Sequence, residues 1–162
     1  MITQERLFEV LHYNKNSGVF VWNISPNNST YAGTEAGNID AYGYLVTSID
    51  NKRYKLHRLA WLYEYGEMPK NQIDHINGIK TDNRIENLRD VNGFVNQQNR
   101  RVIQKNNKSG YTGVCFVKNR NKWMAQIKVE NKFKYLGLYE TAELANEAYI
   151  KAKREFHNGC TI

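Results

Sequence analysis

Seven consecutive residues, Gln104-Lys-Asn-Asn-Lys-Ser-Gly110, carry no apolar side chain. A segment of that composition cannot be buried in a core, so it reads as a linker and divides the 162-residue chain into two small bodies, each with a modest core. The charge balance changes at the same place. Residues 1–99 hold 10 Lys and Arg against 11 Asp and Glu, a net of −1, whereas residues 100–162 hold 13 against 5, a net of +8. The expected organisation is one domain over 1–103, a linker over 104–110 and a second domain over 111–162.

A basic back half of this kind most readily meets phosphate, because Lys and Arg gain free energy by releasing counterions condensed on nucleic acid. A membrane is the weaker partner, since no apolar run approaches the roughly 20 residues that span a bilayer. Met1–Leu11 also lacks the basic start and apolar stretch of a signal peptide. Cys115 and Cys160 lie far apart with no CxxC pairing, which excludes a disulfide framework and a four-cysteine zinc site and makes the cytoplasm the expected compartment.

Along the front half, Leu7, Val10 and Leu11 recur at helical spacing, so a helix is expected over Ile2 to Tyr13, ending at Asn14, Asn16 and Gly18. Gly18-Val-Phe-Val-Trp22, Gly43-Tyr-Leu-Val-Thr47 and Tyr54-Lys-Leu56 are rich in β-branched and aromatic residues and read as strands of one small antiparallel sheet. His57 to Tyr65 places Leu59, Leu62 and Tyr63 on one helical face and stops at Gly66, with His57 in a packing or capping role. Leu88 to Val91 reads as extended. Asn92 then caps a helix running to about Ile103, with Asn96, Asn99 and Arg100 on one face.

The back half alternates with period two. Val114, Phe116, Trp123, Ala125, Ile127, Leu136 and Leu138 are expected to face a core, and Cys115, Val117, Gln126, Lys128, Phe133 and Tyr135 the other side. Three strands are followed by one helix capped by Thr141, with Ala145, Ala148, Tyr149 and Ala152 inward. The fold class expected for the whole chain is α+β.

The chemistry concentrates in Asp74-His-Ile-Asn-Gly78 and Asp82-Asn-Arg-Ile-Glu-Asn-Leu-Arg89. A carboxylate beside an imidazole supplies a hard metal ligand and a proton acceptor, the minimum for metal-assisted hydrolysis of a phosphodiester. Together with His57-Arg-Leu-Ala-Trp61 and Asn96-Gln-Gln-Asn99, these segments resemble the HNH endonucleases common in phages, homing enzymes among them. The resemblance implies a ββα-metal site. In it His75 is the general base, Asp74 and Asn96 are the metal ligands, and Asn87 braces the loop and helps to orient the histidine. Asn99 is the alternative to Asn96 should the helix register differ by a turn. It implies one Mg²⁺ per site, with Mn²⁺ able to substitute, because two protein ligands leave positions for water and phosphate oxygens and a neutral amide is a poor ligand for Zn²⁺ or Ni²⁺. Asp82, Asn83 and Arg84 read as scaffold of the connecting loop, with Arg84 within reach of a phosphate.

A second resemblance covers residues 109–159. Ser109-Gly-Tyr-Thr-Gly-Val114, Lys122-Trp-Met-Ala-Gln-Ile-Lys128 and Tyr135-Leu-Gly-Leu-Tyr139 look like an APETALA2-type DNA-binding domain, a family that lays a three-stranded sheet in the major groove. It implies a DNA face of Thr112, Cys115, Val117, Gln126, Lys128, Phe133 and Tyr135, with Lys118, Arg120 and Lys122 near the phosphates; Arg100, on the helix that follows the nuclease motif, is a further expected DNA contact. Plant members carry arginine where this chain has Thr112, Cys115 and Phe133, so the recognised sequence does not transfer. The combined expectation is a monomeric, site-specific endonuclease for double-stranded DNA, homing and phage-encoded. A DNA-binding regulator with a degenerate HNH fold is the alternative, and an RNA-binding protein or RNase a third reading.

Overall fold

A computed structural model describes residues 2–99, 103, 107–157 and 159–161. The chain forms two compact units, Met1–Asn96 and Gln97–Ile162. The division falls upstream of the polar 104–110 stretch, within the short helix that closes the first unit's motif.

Unit 1 begins with α1 (Gln4–Val10), whose cap Thr3 accepts from the Arg6 amide. The helix is shorter than its periodicity suggests, because Leu11–Asn14 leaves it as β1 and pairs antiparallel with β2 (Val19–Trp22). Pairing satisfies the backbone of Leu11 and Tyr13 while both side chains stay buried. The strands ahead of the motif form two sheets rather than one. The second is β3–β4–β5 (Asn38–Ile39, Leu45–Ile49, Lys52–Lys55). Then α2 (Leu56–Tyr65) ends at Gly66, in the left-handed conformation with φ 76°.

Antiparallel β6 (Gln72–His75) and β7 (Leu88–Val91) follow, joined by a loop that ends in a single 3₁₀ turn over Ile85–Asn87. Leu7, Leu11, Phe20, Leu56, Leu59 and Ala60, all 1% exposed or less, make the core, and Ile73 of β6 and Leu88 of β7 join it. That burial holds the motif hairpin against the N-terminal elements. Helix α3 (Gly93–Gln98) comes next, with Asn92 Oδ1 accepting from the Val95 amide, and ends well short of Ile103.

Unit 2 is a three-stranded antiparallel sheet in the order β10–β9–β8 (Lys132–Tyr139, Lys122–Val129, Val114–Val117), covered on one face by α4 (Ala142–Phe156). Ala125, Ile127, Ala145, Tyr149 and Ala152 are buried between helix and sheet. The period-two expectation fails at two places. A bulge between Tyr135 and Gly137 shifts the register, so Leu136 packs inward while Leu138 pairs with Met124 on the other face. Phe116 is also not a core residue; it is 44% exposed and lies beside its strand partner Trp123. Gly113 is required by contact, since a Cβ there would sit 2.3 Å from the Tyr149 ring, on a backbone of φ +74°.

Candidate active site

The site is built on the β6/β7 hairpin. Its register sets Gln72 opposite Val91, Asp74 opposite Arg89 and His75 opposite Leu88. Ile73 and Leu88 enter the core, so strand alternation turns His75 to the core side and Gln72 and Asp74 to the other. Asp90 fixes the start of β6 by accepting from the Lys70 and Asn71 amides at 2.8 and 2.9 Å.

On the Asp74 face, Arg89 donates to Asp74 Oδ2 from Nε at 2.9 Å and from Nη2 at 2.7 Å. The carboxylate is 7% exposed, and a buried charge needs such a partner. Asn96, from α3, donates its Nδ2 to Gln72 Oε1 at 2.7 Å. Gln72 and Asp74 share a face of β6, so the helix amide stands over the same face as the carboxylate. The two sequence-predicted ligands are thus brought to one side of the hairpin, with hard oxygen donors suited to a hard cation. Asn99 is placed differently. It lies past the end of α3 in unit 2, buried, and its side-chain oxygen accepts from the Thr161 hydroxyl.

On the other face, His75 is 4% exposed and sits in a cluster of rings. The His57 ring meets it edge-on at 5.1 Å between centroids, and Tyr44 lies 6.0 Å from His75 and 5.2 Å from His57. The Lys55 and Lys80 ammonium groups lie over the Tyr44 ring at 4.2 and 4.9 Å, bringing two cations to the histidines. His57 does not cap its helix; it packs. Burial, reinforced by repulsion from His75, Lys55 and Arg58, pushes its pKa down to about 3, so it stands neutral, and its Nδ1 has no hydrogen-bond partner among the described residues. Burial also holds His75 below its ordinary pKa, and Lys80 acts in the same direction. The bond to Asn83 and the charges of Asp74 and Asp82 pull the other way. An imidazole so placed is unprotonated at neutral pH, as a proton acceptor must be.

Asn87, 5% exposed, braces the loop at both ends. Its Oδ1 accepts from the Asn77 amide at 2.9 Å and its Nδ2 donates to the Asp82 carbonyl at 2.8 Å. Asp82 then accepts from the guanidinium of Arg84 through both oxygens at 2.9 and 2.8 Å, and from Asn77 Nδ2. These bonds, led by the one to Arg84, hold Asp82 at a pKa of about 2. Among the described residues, Asn83 lies within hydrogen-bond distance of the imidazole, its Oδ1 3.2 Å from His75 Nε2. In the sequence Asn83 reads as scaffold of the loop, and Arg89 is not among the residues expected to act at the site. The Arg89 pairing was within reach, because a hairpin that pairs His75 with Leu88 must set the residue before one against the residue after the other.

In unit 2, Gln126, Lys128, Phe133 and Tyr135 share the sheet face away from α4, with Cys115 and Val117 beside them. Phe133 and Tyr135 are 70% and 59% exposed. Lys118 and Arg120 occupy an exposed 3₁₀ turn between β8 and β9, and Thr112 an exposed loop before β8. Lys122 is paired with Glu140 at 2.8 Å. Arg100 lies outside the described residues.

Among the described residues, no group of three or more His, Cys, Asp and Glu side chains is gathered as a metal centre, and no helix is long and apolar enough to cross a membrane. Comparison with curated proteins and with solved structures returns no match. Comparison with family models does: residues 54–98, which run from β5 through the histidine cluster and the β6/β7 hairpin to the end of α3, match the HNH endonuclease family and form an HNH endonuclease domain.

Proposed function

We propose that the protein is a site-specific endonuclease that hydrolyses phosphodiester bonds of double-stranded DNA, with Asp74 and Asn96 holding one divalent cation, Mg²⁺ or Mn²⁺, in a ββα-metal site. The observation that carries this reading lies within the HNH span. One two-stranded hairpin and the helix after it present a carboxylate and an amide on one face and a buried, unprotonated imidazole at the strand end. When bound, the cation supplies Lewis-acid stabilisation of charge on the phosphorane and the departing 3′ oxygen. His75 takes the proton of the attacking water. Arg89 fixes the Asp74 carboxylate and brings a positive charge to that side of the hairpin. Asn87 keeps the loop closed behind the histidine.

Unit 2 serves as the DNA-holding module, in the manner of an APETALA2-type sheet. Its net charge of +8 and its exposed face of Gln126, Lys128, Phe133 and Tyr135 support that role, with Lys118 and Arg120 at phosphates. A homing role, phage origin, action in the host cytoplasm and a monomeric state belong to the same proposal. One site cuts one strand per engagement, so nicking is the first expected product.

The test is relaxation of supercoiled plasmid carrying the DNA that flanks the protein's own coding sequence, with Mg²⁺, Mn²⁺ or chelator. Metal-dependent nicking that falls by about 10³-fold in His75→Ala supports the reading. Duplex binding with no cutting under any metal sinks it in favour of a DNA-binding regulator.

A further inference from the structure

The contact between His75 and Asn83 is held from outside the HNH span. Asn83 is 1% exposed, and its Nδ2 has no hydrogen-bond partner among the described residues. Its carbonyl accepts from the Tyr13 hydroxyl at 2.6 Å, and the next turn is tied to the same hairpin by the Ile85 amide donating to the Lys15 carbonyl at 3.3 Å. Tyr13 is itself fixed by stacking on Phe20 at 4.5 Å and by the edge of Tyr63 at 5.5 Å. Between β1 and β2, Gly18 has φ +75°, and a Cβ there would lie 2.5 Å from the Arg84 nitrogen and 2.7 Å from the Asn83 carbonyl carbon. The β1/β2 hairpin therefore presses backbone to backbone on the residue that touches the imidazole.

We infer that Asn83 is the positioning residue of the general base: clamped by the β1/β2 hairpin, its Oδ1 accepts from His75 Nε2–H and confines the ring to the tautomer whose lone pair lies on Nδ1. The inference rests on the reading of His75 as general base. A neutral imidazole carries one N–H, and an amide oxygen can only accept, so the proton must sit on Nε2. When Nδ1 takes a proton from water, the Nε2–H bond to Asn83 survives and strengthens, because its donor is now cationic. At 1% exposure Asn83 cannot be replaced in this task by bulk water. Turning the amide over would aim Nδ2 at Nε2, force the proton onto Nδ1 and leave no base there. Two asparagines thus divide the work, Asn87 closing the loop and Asn83 holding the ring. The functional unit extends back to residue 11, beyond the HNH span.

The first test needs no variant. Nitrogen-15 spectra of the His75 imidazole in the full-length, metal-free protein should show Nε2 protonated and Nδ1 without a proton; an Nδ1–H ring overturns the inference. Asn83→Leu, which removes the acceptor, should mix the tautomers and lower the nicking rate by about 10²-fold, with duplex affinity unchanged to within about threefold. Asn83→Asp, which keeps an acceptor oxygen, should hold the wild-type tautomer and recover most of that rate. Tyr13→Phe, which removes only the hydroxyl that grips the Asn83 carbonyl, should fall between the two. An Asn83→Leu protein with wild-type tautomer and rate, alongside an inactive His75→Ala, overturns the role of Asn83 alone. Full nicking by His75→Ala overturns the general-base reading beneath it.

Discussion

The two units handle polar chemistry in opposite ways. Unit 1 sinks it: His57, Asp74, His75, Asn83 and Asn87 are all 7% exposed or less, each set among rings, loop bonds or a cross-strand arginine. Unit 2 displays it: Gln126 and Lys128 stand on an open sheet face beside Phe133 and Tyr135, while a plain core of alanines, Ile127 and Tyr149 lies beneath. A site that must move one proton at one nitrogen needs buried, over-determined side chains. A surface that must meet a long anionic partner needs exposed charge and area. Net charge points to a surface of the second kind and says nothing about a site of the first.

This contrast can be broken at one glycine in each unit. Gly18→Ala forces a Cβ into the Arg84 and Asn83 backbone, and Gly113→Ala forces one into the Tyr149 ring, each on a left-handed backbone. Each should cost its own unit about 3 kcal/mol. Two-transition calorimetry should show Gly18→Ala lowering one melting step and abolishing nicking, and Gly113→Ala lowering the other and weakening duplex binding. A single step shifted equally by both would mean the units do not respond separately.

Acid should sharpen the contrast. The pKa of His57 is near 3 in the folded protein and about 6.5 unfolded. Between those values the unfolded chain binds a proton that the folded chain refuses. The stability of unit 1 is therefore full above about pH 6.5 and falls as the pH drops toward 3, by on the order of 2 kcal/mol at pH 5. Denaturant melts at pH 7 and pH 5 check it, and His57→Phe should flatten most of the difference. An unchanged pH slope in that variant would place the acid sensitivity elsewhere.

The smallest effects belong to the exposed face of unit 2. Lys118→Gln and Lys128→Gln should leave stability within about 0.5 kcal/mol of wild type. Each should lower the salt-dependence slope of duplex binding by about one. Titrations at several salt concentrations read this directly, and an unchanged slope removes that lysine from the interface.

Particular residues show how far the sequence can be read. The helix at His57–Tyr65, the strand–loop–strand around Asp74 and Asn87 and the Thr141 cap are visible because each rests on local signals: periodicity, a stop glycine, a capping hydroxyl. Leu138 defeats the same method. One bulge residue reverses the facing of everything after it, and no local preference marks Tyr135–Gly137 as its place. Leu11 and Tyr13 continue a helical pattern, yet pairing with β2, a non-local contact, takes them into a strand. At the site, adjacency in sequence suggests that Asp74 and His75 share one space. Strand alternation instead turns the two side chains to different faces of the hairpin, so their hydrogen-bond partners differ, while the Asp74 charge still acts on the imidazole at the strand end.

The sequence by itself determined the chemistry available, namely a carboxylate, an imidazole and two amides at HNH spacing, and the charge that marks the second unit, because composition and short-range spacing are properties of the chain. Only the tertiary structure decided which amide touches the histidine. Asn83 and Asn87 are four residues apart in one loop and chemically identical. The choice between them is made by the β1/β2 hairpin, about 70 residues away in the chain, packing on the Asn83 backbone, a long-range contact that no local pattern encodes.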